Sequence, residues 1–327
     1  MSKVTVLTAA YNAEAYLRPC LDSLLSQTWH DFQVICVDDG STDSTPQILD
    51  EYATRDARIE VIHLDRNGGQ AHARNVALER ATGQYVCMLD SDDWFSADAL
   101  ESACQVFQEY PDTDCVLFQV REMYADGHHR DYPMPSFQSM TGEEAFEASL
   151  TWRIHGLYMV RADIQRRYPY DESALSYSDD NTTRVHYLHS HAVRQCTGVY
   201  YYRQHDASVT HRVSVRRFDY LRANESMRRQ MLAAHVSERL MDVYENVRWL
   251  NLIDVYMFFY HHRSQLTPEE RSYGVSEMRR VWQSIETRRL TLRYRIKFGY
   301  MPLRPSWLLF RCQEELYFSL RKWIFKR

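Results

Sequence analysis

The chain has 327 residues, 45% hydrophobic and 25% charged, which is room for one large α/β domain with an appendage and rules out a single small module or a disordered polymer. Its net charge of −5 is unevenly spread, because residues 288–327 hold 11 Lys or Arg against only Glu314 and Glu315, leaving an acidic body unsuited to nucleic acid and a basic tail of different purpose. Seven cysteines without regular spacing exclude a disulfide framework and a zinc ribbon, and the expected setting is a reduced, cytoplasmic one.

Residues 3–119 alternate between two periodicities. Short apolar runs at 3–9, 32–38, 58–64, 84–89 and 114–119 predict strands, and amphipathic segments at 13–27, 43–55, 69–81 and 97–109 predict helices. In the first of these, Ala15, Leu17, Leu21, Leu24 and Leu25 form a helical stripe. This alternation predicts an α/β fold with a mainly parallel central sheet and helices on both faces. In such sheets ligands bind beyond the carboxyl ends of the strands. Three loops at that end stand out: Ala9-Ala10-Tyr11-Asn12, Asp38-Asp39-Gly40-Ser41-Thr42-Asp43, and Asp90-Ser91-Asp92-Asp93-Trp94. So many carboxylates at one end of a sheet repel each other, and their grouping asks for a cation or a polar ligand.

The pattern from 120 to 212 is less regular. Ser178-Asp179-Asp180-Asn181 opens a predicted helix, and an aromatic strand ends at Tyr200-Tyr201-Tyr202-Arg203. From 213 onward the chain reads as helical, with long amphipathic segments at 215–233, 236–262 and 268–287. Residues 306–325 place Leu309, Leu316, Leu320, Trp323 and Phe325 near one helical face, with Arg311, Arg321, Lys322 and Lys326 outside it. A basic amphipathic helix of this type suits an anionic membrane surface. Packing on the body, or a homodimer contact, fits the pattern equally well. No stretch reaches the roughly 18 apolar residues of a transmembrane helix, and an opening that reads at once as a strand carries no expectation of a secretory signal.

Taken in order, the opening strand with Tyr11-Asn12, Ser26-Gln27-Thr28, Val37 to Asp43, Asn67-Gly68-Gly69, Ala73-Arg74-Asn75, Gly83 and Asp90-Ser91-Asp92-Asp93 resemble family 2 of the glycosyltransferases. These are inverting enzymes with a GT-A fold, of the type that builds bacterial surface polysaccharide or lipid-linked glycans. The similarity runs over residues 3–210. Two departures stand out: Ala9-Ala10 where the family often has a proline, and Asp179-Asp180 where it usually has Glu-Asp, which leaves the reach of Asp179 open.

The resemblance implies a nucleotide-sugar-binding half at 1–120, an acceptor-binding half at 121–212, and a helical C-terminal region at 213–327. It implies a nucleotide-sugar donor, a uridine conjugate in the family's habit, and a glycan or lipid-linked acceptor. It further implies a divalent metal, Mn2+ or Mg2+, bound by Asp92, with Asp90 on the ribose, a metal-bound water or the metal itself. Asp39 is placed against the nucleobase, with Ala10 and Tyr11 beside it, and Arg74 on the nucleotide. Asp180 is the expected base, accompanied by Asp179. Arg203 and His205, with Ser208 and Thr210, resemble the segment that closes over the donor diphosphate. Read from the residues alone, Asp93 is expected to cap the following helix, Asp38 to orient its loop through backbone N–H groups, and Asp43 to act as a cap. The expected location is the cytoplasm, peripheral on the inner face of a membrane if the tail docks there. The alternative is a catalytically silent nucleotide-sugar-binding or scaffold protein, which would be expected to lack the metal aspartates or the base. A Rossmann dinucleotide site is excluded, since no G-x-G-x-x-G follows the first strand.

Overall fold

The computed structural model describes residues 3–173, 179–205 and 213–324, with side chains as far as 322. The chain divides into two compact units, Met1–His211 and Arg212–Arg327.

In the first unit, β1 (Val4–Ala10), β2 (Phe32–Asp38), β3 (Ile59–His63) and β4 (Tyr85–Met88) lie side by side in the order β3-β2-β1-β4, all parallel. Between them run α1 (Leu17–Leu25), α2 (Thr45–Arg55) and α3 (Gln70–Glu79). The strands are buried on both faces, so their side chains divide by parity. Val4, Val6, Val34 and Cys36 pack under Leu17, Leu21, Leu24 and Leu49 of α1 and α2. Leu7, Ile35 and Val37 face Ala73 and Ala77 of α3 on the other side. Each such aliphatic side chain removed from water contributes about 1.5–3 kcal/mol, and together they set the register.

Beyond β4 the sheet continues through short β5 (Trp94–Phe95), α4 (Ala99–Glu109), β6 (Thr113–Met123), β7 (His129–Asp131), β8 (Met140–Thr141), α5 (Gly142–Leu150), β9 (Tyr158–Arg161), α6 (Ala162–Arg167), α7 (Asp179–Leu188) and β10 (Ala192–Arg203). The spatial order is β4-β9-β6-β10-β5. β9 runs antiparallel between β4 and β6, whereas β6 and β10 are parallel to each other and share the direction of β4. The long strands therefore end on the same side, and the loops after β1, β2, β4 and β10 meet there.

The second unit is helical: α8 (Asp219–Ala233), α9 (Glu238–His262), α10 (Pro268–Ser284), α11 (Leu292–Ile296) and α12 (Trp307–Ile324). Ser237 caps α9, and Thr267 with Glu270 forms a capping box ahead of Pro268 on α10, each satisfying amide donors that the helix cannot pair itself. The 25-residue α9 is the central element. Its Trp249, Leu252, Ile253, Tyr256 and Phe259 pack with Met278, Val281 and Trp282 of α10 and Phe310 and Phe318 of α12.

The tail helix is two-faced. Phe310, Glu314 and Phe318 are buried, while Leu308, Leu309, Leu316 and Leu320 are exposed by 66, 55, 53 and 45%. Packing on the body thus uses a different face from the predicted Leu309–Leu316–Leu320 stripe. Phe325 and the side chain of Trp323 lie outside the described residues. Among the described residues, no helix is long and apolar enough to cross a membrane.

Candidate active site

The loop after β2 is anchored by its own acids. Asp38 Oδ1 accepts from the Ser41 amide at 3.0 Å, and Oδ2 meets Nδ1 of His63 at 3.1 Å. Asp43 accepts from the amides of Thr45 and Glu14. Both residues hold the backbone of this loop, leaving Asp39 as the distinct one. Its carboxylate is 3% exposed and takes the amides of Gly68 and Gly69 at 2.7 and 2.9 Å. The Asp39 amide donates to the Ala10 carbonyl at 2.8 Å. Two glycines allow this approach: Gly40 has φ +72°, and a Cβ there would sit 2.7 Å from the Arg66 carbonyl carbon, while Gly69 opens α3 at φ +91°. Neither conformation suits a residue with a side chain. Beside Asp39, Tyr11 is 49% exposed, and a cavity of about 380 Å³ is lined by Leu64, Asp65, Arg66, Gly68, His72 and Glu172.

Helical spacing puts Gln70 and Arg74 of α3 on one face, and both reach Asp90 Oδ1, at 2.9 and 2.5 Å. Arg74 is 1% exposed, lies over the Tyr170 ring, and has Nη1 3.9 Å from Asp179 Oδ2. Its Nε and Nη1 lack hydrogen-bond partners among the described residues. Burial pushes the Asp90 carboxyl up against the pull of Arg74, with Asp92 and Asp179 adding to the shift. One carboxylate of the loop after β4 is thereby tied to the acidic start of α7. Asn75 strengthens the link, since its amide donates to the Tyr170 carbonyl and to Glu172, and its Oδ1 accepts from the Tyr170 amide.

Asp93 corrects one sequence expectation. No helix begins after it: Trp94–Phe95 is strand, and α4 starts only at Ala99. Instead Asp93, 1% exposed, accepts from the Arg203 amide at 2.7 Å and from the Tyr200 hydroxyl at 2.8 Å. Burial, with Asp92 and Asp90 adding, holds its carboxyl well above the usual range. Asp93 therefore clamps the end of β10 to the acidic loop, a tertiary role that a local capping rule does not anticipate. Tyr200 also accepts from the Asp90 amide at 3.1 Å, a contact the tyrosine-rich strand gave no reason to single out.

Asp92 points the other way. Its Oδ2 lies 2.9 Å from His205 Nε2, and Arg203 Nε donates to its carbonyl at 2.8 Å. His205 packs against the Tyr16 ring at 4.6 Å, and its buried Nδ1 has no partner among the described residues. The Arg203 guanidinium sits over Trp94 and Tyr16. Ser208 and Thr210 lie outside the described residues. Among those described, no three His, Cys, Asp or Glu side chains form a metal-binding group by themselves. The Asp92 carboxylate is a donor of the type that hard divalent cations prefer, and the His205 imidazole that meets it is one that transition-metal ions accept.

Asp179 and Asp180 occupy the first turn of α7. Burial, with Asp179 adding and Arg184 opposing, pushes Asp180 up to about 7. A carboxyl of that character can serve as a base near neutral pH.

The description "Glycosyl transferase family 2" matches residues 5–167. The chain is 30% identical over 228 residues to EpsH of Bacillus subtilis (strain 168), a match covering 66% of this chain and 65% of that protein, so it spans just under two thirds of its relative's length. The structure of S. aureus TarS 1-349 in complex with UDP-GlcNAc superposes with a TM-score of 0.76 at 22% identity, covering 96% of this chain and 91% of that one. The mannosyltransferase PcManGT from Pyrobaculum calidifontis, in complex with GDP-Man and Mn2+, gives 0.54 at 15% identity, covering 99% and 88%. The carboxylates at the strand ends thus sit on a GT-A fold, and residues 5–167 belong to glycosyl transferase family 2.

Proposed function

We propose that this chain transfers a sugar, with inversion, from a nucleoside diphosphate sugar of the uridine type to a hydroxyl of a glycan or lipid-linked acceptor. The observation that carries the reading is the set of groups at the strand ends: Asp39 on Gly68 and Gly69, Arg74 with Asp90, Asp92 with His205, and Asp179, the neighbour of Asp180 in sequence, 3.9 Å from Arg74. Asp39, Ala10 and the Tyr11 ring are assigned to the nucleobase. Arg74 and Asp90 are assigned to the nucleotide, with the unpartnered Nε and Nη1 of Arg74 as donors to it. Arg203 and His205 are assigned to the diphosphate end.

Asp92 and His205 would hold the divalent cation, Mn2+ or Mg2+, with Asp90 near it. The cation supplies charge neutralisation for the diphosphate leaving group. Asp180 takes the proton of the acceptor hydroxyl as that oxygen bonds to the anomeric carbon. The bond from that carbon to the diphosphate breaks, and the leaving group departs with its electron pair. Asp179, next to Asp180 in the first turn of α7, adds to the rise of that carboxyl and so helps to set its basicity.

Thermal shift with UDP-, GDP- and dTDP-sugars, with and without Mn2+, tests the donor assignment, and release of free nucleotide tests turnover. Metal-dependent stabilisation by a UDP-sugar is expected. No response to any nucleotide sugar would overturn the reading.

The same chain is proposed to rest on the cytoplasmic face of an anionic membrane. The exposed Leu308, Leu309, Leu316 and Leu320 lie on α12, and the segment from 288 onward is rich in Arg and Lys. That charge attracts anionic lipid and disfavours a second copy of the same surface. Removing the whole tail would strip Phe310 and Phe318 from their core. The test is therefore flotation with phosphatidylglycerol vesicles of the full chain carrying Leu309→Gln, Leu316→Gln and Leu320→Gln. Equal flotation by both forms would overturn the membrane assignment, and a wild-type dimer lost in the variant would give the stripe to a second copy.

A further inference from the structure

We propose that the indole of Trp152 is the platform on which the acceptor's pyranose ring stacks, an inference that rests on the assignment of Asp180 as the base. Trp152 follows α5 in a backbone geometry that favours glycine. Its amide donates to the Ser149 carbonyl at 3.2 Å, and the Arg153 amide donates to the Ala148 carbonyl at 3.0 Å. These two bonds are the Schellman closure of a helix, in which the residue at this position is left-handed and usually Gly. Trp152 has φ +58°. A bulky side chain there is strained, and glycine would not be. Nothing about ending the helix calls for an indole.

Nor is the ring consumed by packing, since Trp152 remains 46% exposed. What surrounds it leads to Asp180. The guanidinium of Arg184, a residue 6% exposed, lies 5.6 Å from the ring centre. Arg184 stands one turn after Asp180 on α7 and so shares its face. The Tyr132 hydroxyl donates to the Trp152 carbonyl at 2.7 Å. Burial and then the charge of Asp180 push that phenol up. An exposed, flat, backbone-strained aromatic packed against Arg184, one helical turn from the base, matches the apolar C–H face of a sugar ring, held by the negative face of the π-system. An acyclic polyol presents no such face. Strain retained at an exposed aromatic points to a ligand.

The test uses the full-length chain, UDP and Mn2+, with methyl β-glucoside, methyl β-galactoside, methyl β-N-acetylglucosaminide and ribitol as probes, read by saturation-transfer NMR. Wild type is expected to saturate the ring C–H protons of at least one glycoside and not those of ribitol. Trp152→Gly should lower that signal by about tenfold while melting no lower than wild type and binding UDP unchanged, and Trp152→Phe should retain most of it. Equal signals in wild type and Trp152→Gly, no glycoside signal in wild type, or a lower melting temperature in Trp152→Gly would each overturn the proposal. Failure of the Asp180 assignment appears separately, as Asp180→Asn that still transfers sugar, whichever way the Trp152 spectra fall.

Discussion

Arg74 Nη2 lies 2.5 Å from Asp90 Oδ1, with the guanidinium almost wholly out of water. A cation so placed is retained only if its counter-charges are fixed, and a carboxylate facing it is equally dependent. The pair joins the loop after β4 to α3, and through Asp179 to α7.

Replacing Arg74 with Met is therefore expected to cost about 3–5 kcal/mol of stability, because it leaves Asp90 facing Asp92 and Asp179 without its cation. Arg74→Lys should recover part of the charge and little of the geometry, since a lysine offers no planar fork. Urea denaturation measures the first effect. Calorimetry with UDP should show binding weakened by about tenfold or more in both variants. Wild-type affinity in Arg74→Met would remove the arginine from the nucleotide site.

The base carries a pH signature. With Asp180 at about 7, transfer should rise as pH climbs through neutrality and level off above it, because only the ionised carboxylate accepts a proton. The linkage has a fixed sign. A carboxyl whose folded-state value lies above its unfolded one holds a proton longer in the native chain, so its contribution to stability falls between about pH 4 and pH 7. Asp180→Asn should abolish transfer, keep donor affinity within about twofold, and lessen the loss of stability between about pH 4 and pH 7. A neutral limb that survives in Asp180→Asn would assign it to another group.

Much of this site was legible because strand ends and glycines announce it. Asp39, Asp90 and Asp92 follow buried apolar runs, and Asn67-Gly68-Gly69 precedes a helix, so their neighbourhood follows from an α/β alternation. What could not be read locally came from chain returning from far away. Asp93 looks like a helix cap until Tyr200 and Arg203 claim its carboxylate. β5, β7 and β8 are two or three residues long, too short to show a period, and β9 enters the sheet between strands far apart in sequence. Trp152 carried no signal at all, since its meaning lies in a backbone angle.

Asp92 and His205 supply a metal prediction that does not depend on turnover. Their facing atoms are 2.9 Å apart, and His205 is held on one side by the Tyr16 ring. Mn2+ should raise the melting temperature of the UDP-bound chain, and EDTA should reverse it. Asp92→Asn and His205→Ala should each weaken Mn2+ by about tenfold or more, and Tyr16→Ala should weaken it less, by loosening the imidazole. Equal Mn2+ shifts in wild type and Asp92→Asn would place the cation elsewhere.

The helical unit holds its own titrating group. Glu314 is 0% exposed, and its Oε1 accepts from Gln313 Nε2 at 3.0 Å, an amide that also donates to the Met301 carbonyl at 3.0 Å. Glu314 Oε2 and Gln313 Oε1 have no partner among the described residues. Burial pushes Glu314 up to about 8, so the native chain keeps a proton there that the unfolded chain has released by about pH 5. Its contribution is intact at low pH and is lost as pH rises toward 8, a swing on the order of a few kcal/mol. Glu314→Gln carries the neutral form at every pH, and its stability should exceed that of wild type by a margin that widens from pH 5 to pH 8. Chemical denaturation at the two pH values measures that margin. A margin independent of pH would mean that the carboxylate is already ionised and compensated in the native core.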